Sequence, residues 1–213
     1  IYKDFYYFIS KPFWPGQFQK EFLLESTNQE YLIKLDLLKK DNIRLRQILS
    51  LKESFTKDRI SAAVISRKTG SWWRQIILNK GSRDGVAIGS IVTGPGGLIG
   101  RVNNTSLLTS TVTLLTAPES KVGVWVDRIQ INGLLVGLGD NYPSLILYSK
   151  DADIKVGDFI SSSPASTLLP PNIPIGIVQS VGGKLKGKKT AKISLLAKPH
   201  AIDWVQILKL NNK

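Results

Sequence analysis

Lys121-Val-Gly-Val-Trp-Val-Asp127 places Val122, Val124 and Val126 on one side of an extended chain and Lys121, Gly123 and Asp127 on the other. A side-chain period of two belongs to a strand with one buried face. Thr190–Leu196 repeats the device, with Ala191, Ile193 and Leu195 set against Thr190, Lys192 and Ser194. Outward from these two stretches, everything from Arg59 onward reads alike: short runs of Val, Ile, Leu and Thr between glycine-bearing turns, without a sustained helical period.

The candidate strands are 61–66, 74–79, 90–93, 97–103, 111–116, 121–127, 130–137, 145–148, 159–162, 176–181, 190–196 and 204–210. Twelve short strands point to closed or paired β-barrels. An internal echo supports two similar β-domains. Val86-x-x-Gly89-x-Ile91-Val92 followed by Gly97-Leu98-Ile99-Gly100-Arg101-Val102 is answered by Val156-Gly157-Asp158-Phe159-Ile160 followed by Pro174-Ile175-Gly176-Ile177-Val178. In each half a glycine turn feeds a strand and a second glycine admits the next, as positions of positive φ or close backbone approach require.

Upstream of Arg59 the period changes. Leu24, Asn28, Tyr31, Leu35, Leu38, Asn42, Leu45, Leu49 and Lys52 follow in 4-3 alternation, which fills the d and a positions of a heptad in turn. With Asn28 and Asn42 both at a, the pattern is that of a short parallel two-stranded coiled coil, because a paired asparagine selects register and strand number at some cost in stability. Asp41 would face Arg46 across the dimer and attract, whereas Lys34 would face Lys39 and repel, so the seam is weak. Leu32 and Ile48 at e and g widen its apolar face. The plainer alternative is one amphipathic helix lying on its own domain. Pro12, Pro15 and Gly16 break the chain before it, and a helix of about 40 residues from near Gln17 to near Lys57 would be roughly 60 Å long.

Residues 1–18 hold Tyr2, Phe5, Tyr6, Tyr7, Phe8, Phe13, Trp14 and Phe18, eight of the eighteen aromatics, mixed with Lys3 and Lys11. Rings beside basic groups suit the membrane–water interface. No run reaches the roughly 20 apolar residues that span hydrocarbon. The chain holds no methionine, even at position 1, so it is expected to be a fragment with a transmembrane helix just upstream of Ile1.

The heptad-bearing helix is followed in order by Ala63-Val64-Ile65-Ser66-Arg67, Ser71-Trp72-Trp73, Ile76-Ile77-Leu78-Asn79-Lys80-Gly81-Ser82-Arg83-Asp84-Gly85-Val86, Gly97-Leu98-Ile99-Gly100-Arg101-Val102, Val156-Gly157-Asp158 and Pro174-Ile175-Gly176. Each motif alone is turn grammar, but in this order and spacing they closely resemble the bacterial rod shape-determining MreC family over nearly the whole chain. Ala117-Pro118 departs from the Asp-Pro of many relatives, which affects only a local turn. The resemblance implies a mainly β fold: an N-terminal coiled-coil helix, then two small six-stranded barrels in a chymotrypsin-like double-barrel arrangement without catalytic residues. The divisions are a juxtamembrane segment 1–16, the helix 17–58, a first barrel 59–125 and a second 126–213, with strands open to exchange between barrels. It further implies a noncatalytic, single-pass inner-membrane scaffold with its bulk in the periplasm, organising peptidoglycan elongation and maintaining rod shape. The partners implied are a penicillin-binding transpeptidase, MreD, the MreB pathway and further copies of itself in filaments.

Catalysis has little to stand on. The alternative of a secreted or periplasmic serine hydrolase needs a histidine beside a nucleophile. His200 is the one histidine and no cysteine is present. No serine follows His200, so the chymotrypsin order is impossible. Other triad orders exist and Asp203 is near in sequence, but no G-x-S-x-G elbow occurs. Asp151, Asp153 and Asp158 cluster without calcium-loop spacing, one histidine makes no usual zinc set, and Gly94-Pro95-Gly96-Gly97 lacks the Walker lysine. No metal or cofactor is therefore expected.

The formal net charge is +13. Residues 1–58 carry ten basic and eight acidic side chains, so eleven of those charges fall on the β-rich part. Lys184, Lys186, Lys188, Lys189 and Lys192 gather round Gly182, Gly183 and Gly187 in an expected hairpin tip able to meet anionic lipid or an acidic protein face. Nucleic acid is not expected, because residues 160–203 lack the aromatic platforms single-strand binders use. Trp72 and Trp73 precede a strand, so one faces inward and the other is free for a protein interface.

Overall fold

The structure is a computed structural model that describes residues 15–48, 59–67, 74–149, 152–185 and 188–209. It divides into a helical unit, 1–53, and a β unit, 54–213. Helix α1 spans Pro15–Ile48, 34 residues, or about 50 Å at the usual rise. Pro15 stands at its start, where a missing N–H costs nothing. Ser26 and Thr27 are accommodated inside the helix because their hydroxyls donate back to the Leu23 carbonyl at 3.0 and 2.6 Å. The expected continuation toward Lys57 lies outside the described residues.

The β unit contains the twelve strands expected: β1 (Arg59–Arg67), β2 (Gln75–Leu78), β3 (Ile91–Gly94), β4 (Gly97–Thr105), β5 (Ser110–Leu114), β6 (Lys121–Val126), β7 (Ile131–Val136), β8 (Ser144–Leu147), β9 (Phe159–Ser162), β10 (Pro174–Leu185), β11 (Lys188–Leu195) and β12 (Trp204–Leu208). All pairs are antiparallel. They close into two six-stranded barrels, one in the order β1-β12-β3-β4-β5-β2 and the other β10-β11-β8-β7-β6-β9. Among the described residues, closure leaves no strand edge unpaired.

The sequence echo is a real structural repeat. Gly89 and Gly157 both take positive φ, 89° and 92°, a conformation glycine adopts without strain. Gly89 N–H donates to Val102 O at 2.8 Å and Val102 N–H to Ser90 O at 2.8 Å; Gly157 N–H donates to Val178 O at 2.9 Å and Val178 N–H to Asp158 O at 2.9 Å. The next side chain caps the turn in both halves, Ser90 Oγ accepting from Ala87 N–H at 3.2 Å and Asp158 Oδ2 from Lys155 N–H at 2.8 Å. Extended over the pairing scheme, β1–β6 correspond one by one to β7–β12.

The division at 125/126, given with strands open to exchange between barrels, meets such an exchange in the strand pairing. It falls inside β6, one residue before the end of the first repeat, and does not separate the two barrels, because each repeat gives its sixth strand to the other. β6 lies between β7 and β9, while β12 lies in the equivalent place between β1 and β3. The physical reason is loop closure: β6 reaches β7 through the short turn 127–130, a far more local pairing than a return to β1.

The alternation of Val122, Val124 and Val126 fills the second barrel, where these residues meet Leu135, Leu145, Leu147, Ile160 and Ile193. Ala62, Ile76, Leu78, Val92, Val112, Val205 and Ile207 fill the first. Ile91, Leu98, Leu115 and Leu208, from or next to strands of the first barrel, belong to the second barrel's cluster, so the barrels share apolar contacts rather than a solvated gap. Their backbones also close up: a Cβ on Gly97, at φ +131°, would stand 2.1 Å from Pro174 O.

Candidate interaction site

Along α1 the expected seam is solvent-facing in the single chain. Leu24 is 66% exposed, Tyr31 62%, Leu35 52%, Leu38 61% and Leu45 57%, and Asn28 and Asn42 are exposed with them. Leu49 lies outside the described residues. So many exposed leucines on one stripe leave an apolar face that a partner can cover. Sequence reasoning understated the rest of the helix, for Phe22, Leu23, Ile33, Leu37 and Ile43 are exposed off that stripe as well. Asp36 and Lys40 pair at 2.8 Å one turn apart, the lysine's hydrogen bond holding the carboxyl below its ordinary value.

The lysine-rich hairpin is formed by β10 and β11, with Lys184 opposite Lys189; Lys186 lies outside the described residues. Two of its ammonium groups turn to the barrel. Lys188 Nζ sits 4.3 Å from the centroid of the Tyr148 ring, a cation–π distance, and Lys189 Nζ donates to Ala152 O at 3.0 Å. Tyr148 escaped the sequence search because it comes from the end of a neighbouring strand. Trp72 and Trp73 also fall outside the described residues.

Asp153 and Asp158 are drawn together by a residue the sequence reading passed over. Arg128, in the turn after β6, donates from Nε to Asp158 Oδ1 at 2.6 Å and from Nη2 to Asp158 Oδ2 at 2.9 Å. Its Nη2 also donates to the Asp153 carbonyl. These bonds, Arg128 foremost, hold the Asp158 carboxyl below its ordinary value and raise the guanidinium above its own. The cluster ties the β6–β7 turn to the entry of β9. Among the described residues no group of three or more His, Cys, Asp or Glu is arranged to hold a metal ion.

His200 lines a cleft of about 190 Å³ with Thr116, Asn141, Tyr142, Ser194 and Lys198. Hydroxyls therefore do share its walls, which sequence order alone did not reveal. The acid is misplaced for a triad: the Asp203 side chain is 88% exposed, and its Oδ1 stands 3.9 Å from Arg67 Nη2, whereas the orienting carboxylate of a serine hydrolase is buried against the imidazole. No helix among the described residues is long and apolar enough to cross a membrane.

The chain matches the family described as rod shape-determining protein MreC, barrel core, over residues 64–209. The cell shape-determining protein MreC of Listeria monocytogenes is 33% identical over 180 residues, which cover 81% of this chain and 61% of that protein. The chain spans about half the length of the curated relatives it matches. A solved MreC structure from Listeria superposes with a TM-score of 0.78 at 31% identity, covering 93% of this chain and 97% of that one. The major periplasmic domain of the cell shape-determining filament MreC superposes at 0.62 with 25% identity, covering 73% and 99%. The Helicobacter pylori complex of a penicillin-binding protein with MreC shares the fold, at 0.61 and 14% identity over 73% and 99%.

Proposed function

Because this chain belongs to the rod shape-determining MreC family, we propose that it is a noncatalytic scaffold that gathers the peptidoglycan-elongation machinery on the outer side of the bacterial inner membrane and so maintains rod shape. The carrying observation is the family match, which takes in eleven of the twelve strands entire and the last four residues of β1. Two copies zip along Leu24–Leu45, and the barrels offer their outer surfaces to a penicillin-binding transpeptidase, to MreD and to further copies in filaments. The Helicobacter complex and the filament-forming relative support the transpeptidase and self-assembly parts of this reading. Membrane attachment and cooperation with the MreB pathway rest on the family resemblance.

A hydrolase is the weaker reading, given where Asp203 points. The test is capture from detergent-solubilised membranes of cells making the tagged, membrane-anchored protein, followed by identification of what is bound. Recovery of a penicillin-binding transpeptidase with an intact β unit is expected. A β unit that folds yet captures none, while labelling with a serine-directed phosphonate, overturns the scaffold in favour of the hydrolase.

A further inference from the structure

Trp204 opens β12 with its ring on the outside of the first barrel, 64% exposed. Large aromatic side chains rarely stay this open on a barrel that has inward positions to offer. Its cross-strand neighbour on β1 is Ala63, too small to cover an indole face. The ring borders a shallow groove of about 420 Å³ whose other walls are Arg59, Ser61, Thr93, Pro95 and Gln206.

The polar groups in that groove are held in order. Gln206 stands opposite Ser61 on one side and Thr93 on the other. Arg59 Nη1 donates to Gln206 Oε1 at 3.2 Å, which fixes the amide plane, and Thr93 Oγ1 donates to the Gln206 carbonyl at 3.3 Å. The Gln206 amide nitrogen and the Ser61 hydroxyl have no hydrogen-bond partner among the described residues. Among the described residues no carboxylate lines the groove.

From this arrangement we infer that the groove on β1, β12 and β3 binds a glycan, one pyranose ring stacking on Trp204 while its hydroxyl or acetamido groups bond Gln206, Ser61 and Arg59. The chemistry separates this ligand from a protein partner. A protein hot spot gathers several apolar anchors in a pocket, and among the side chains that line this groove Trp204 is the one large apolar group exposed. Here one ring stands among planar and hydroxylic groups with unused donors and acceptors, which matches a sugar's weakly apolar face and its polar edge. The Arg59 guanidinium admits a ring carrying a carboxylate. The inference does not depend on the scaffold reading.

The test is titration of the whole chain, with tryptophan indole nitrogens labelled, by tetra-N-acetylchitotetraose. The Trp204 signal is assigned as the one lost in Trp204→Phe. A saturable shift of that signal is expected, with Trp204→Ala weakening binding about tenfold or more, Gln206→Ala weakening it less, and Trp204→Tyr retaining most of it. Trp204 is exposed, so these variants keep the barrel, as far-UV circular dichroism checks. No shift of the Trp204 signal at millimolar sugar overturns the inference, as does unchanged affinity in folded Trp204→Ala. If Trp204→Ala abolishes capture of a protein while the sugar never binds, the surface is a protein interface and the inference fails.

Discussion

Arg128 grips Asp158 with two parallel hydrogen bonds, 2.6 and 2.9 Å long, although thirty residues separate them. Asp158 is 6% exposed, and Lys155 N–H donates at 2.8 Å to its Oδ2, the oxygen that also accepts from Arg128 Nη2. Such fork-to-fork geometry fixes direction as well as distance. The last strand of the first repeat is thereby fastened to the third strand of the second.

Acid should loosen this fastening. The folded-state value of Asp158 lies below its ordinary 3.8, so its contribution is complete above that value and disappears as pH falls through the folded value. Urea midpoints measured between pH 6 and pH 2, a window chosen to span that range, should fall more steeply in the parent chain than in Asp158→Asn. Equal slopes would show that the pair is not coupled to folding.

The seam of α1 gives a second outcome. Replacing both Leu35 and Leu38 with Asp should leave monomers at micromolar concentration, because charge at a and d opposes burial. Replacing Asn28 and Asn42 with Leu should instead give tighter association with mixed registers or higher oligomers. Sedimentation equilibrium distinguishes these cases, and a parent chain that is monomeric throughout removes the dimer.

Leu98 is fully buried at the junction of the two barrels. Leu98→Ala should cost about 2–5 kcal/mol through lost transfer energy and a residual cavity. Because a first-barrel strand packs into the second barrel's cluster there, calorimetry should show one transition moved downward. Two separated transitions in the parent would contradict the shared packing.

Gly97 makes a sharper case. Its Cβ would meet Pro174 O at 2.1 Å, and its φ of +131° suits no L side chain. Gly97→Ala should therefore destabilise more than the control Gly123→Ala, where nothing lies within 4 Å of the added carbon. Chemical denaturation of the two variants compares them directly.

Deleting β12 should unprotect β1 and β3, its two ladder partners, more than β7 and β9, which lose the packing of Leu208 but still have β6 between them. Hydrogen exchange read by mass spectrometry resolves the strands. Equal loss in both barrels would mean that neither survives without the other.

Much of this architecture was legible in the sequence. Val122, Val124 and Val126 announced a half-buried strand, and glycine turns at Gly89 and Gly157 announced where strands begin, because both signals are local. What the chain could not announce was non-local. The exchange of β6 and β12 depends on which of two equivalent gaps a strand enters, and nothing in Lys121–Val126 or Trp204–Leu208 names the partner. Arg128 escaped for the same reason, since its acceptor comes from a distant loop. The exposure of Trp204 was hidden because alternation tells which residues share a side, not what stands beside them.

The reciprocal exchange of sixth strands also sets an order of assembly during synthesis. Residues 121–195 emerge as one uninterrupted block containing every strand of the second barrel, so that barrel can mature while the first still waits, five strands long and open, for its closing piece. A ribosome or translocon that stalls between Leu195 and Trp204 would release a molecule with one finished half and one raw edge, a natural target for quality-control proteases.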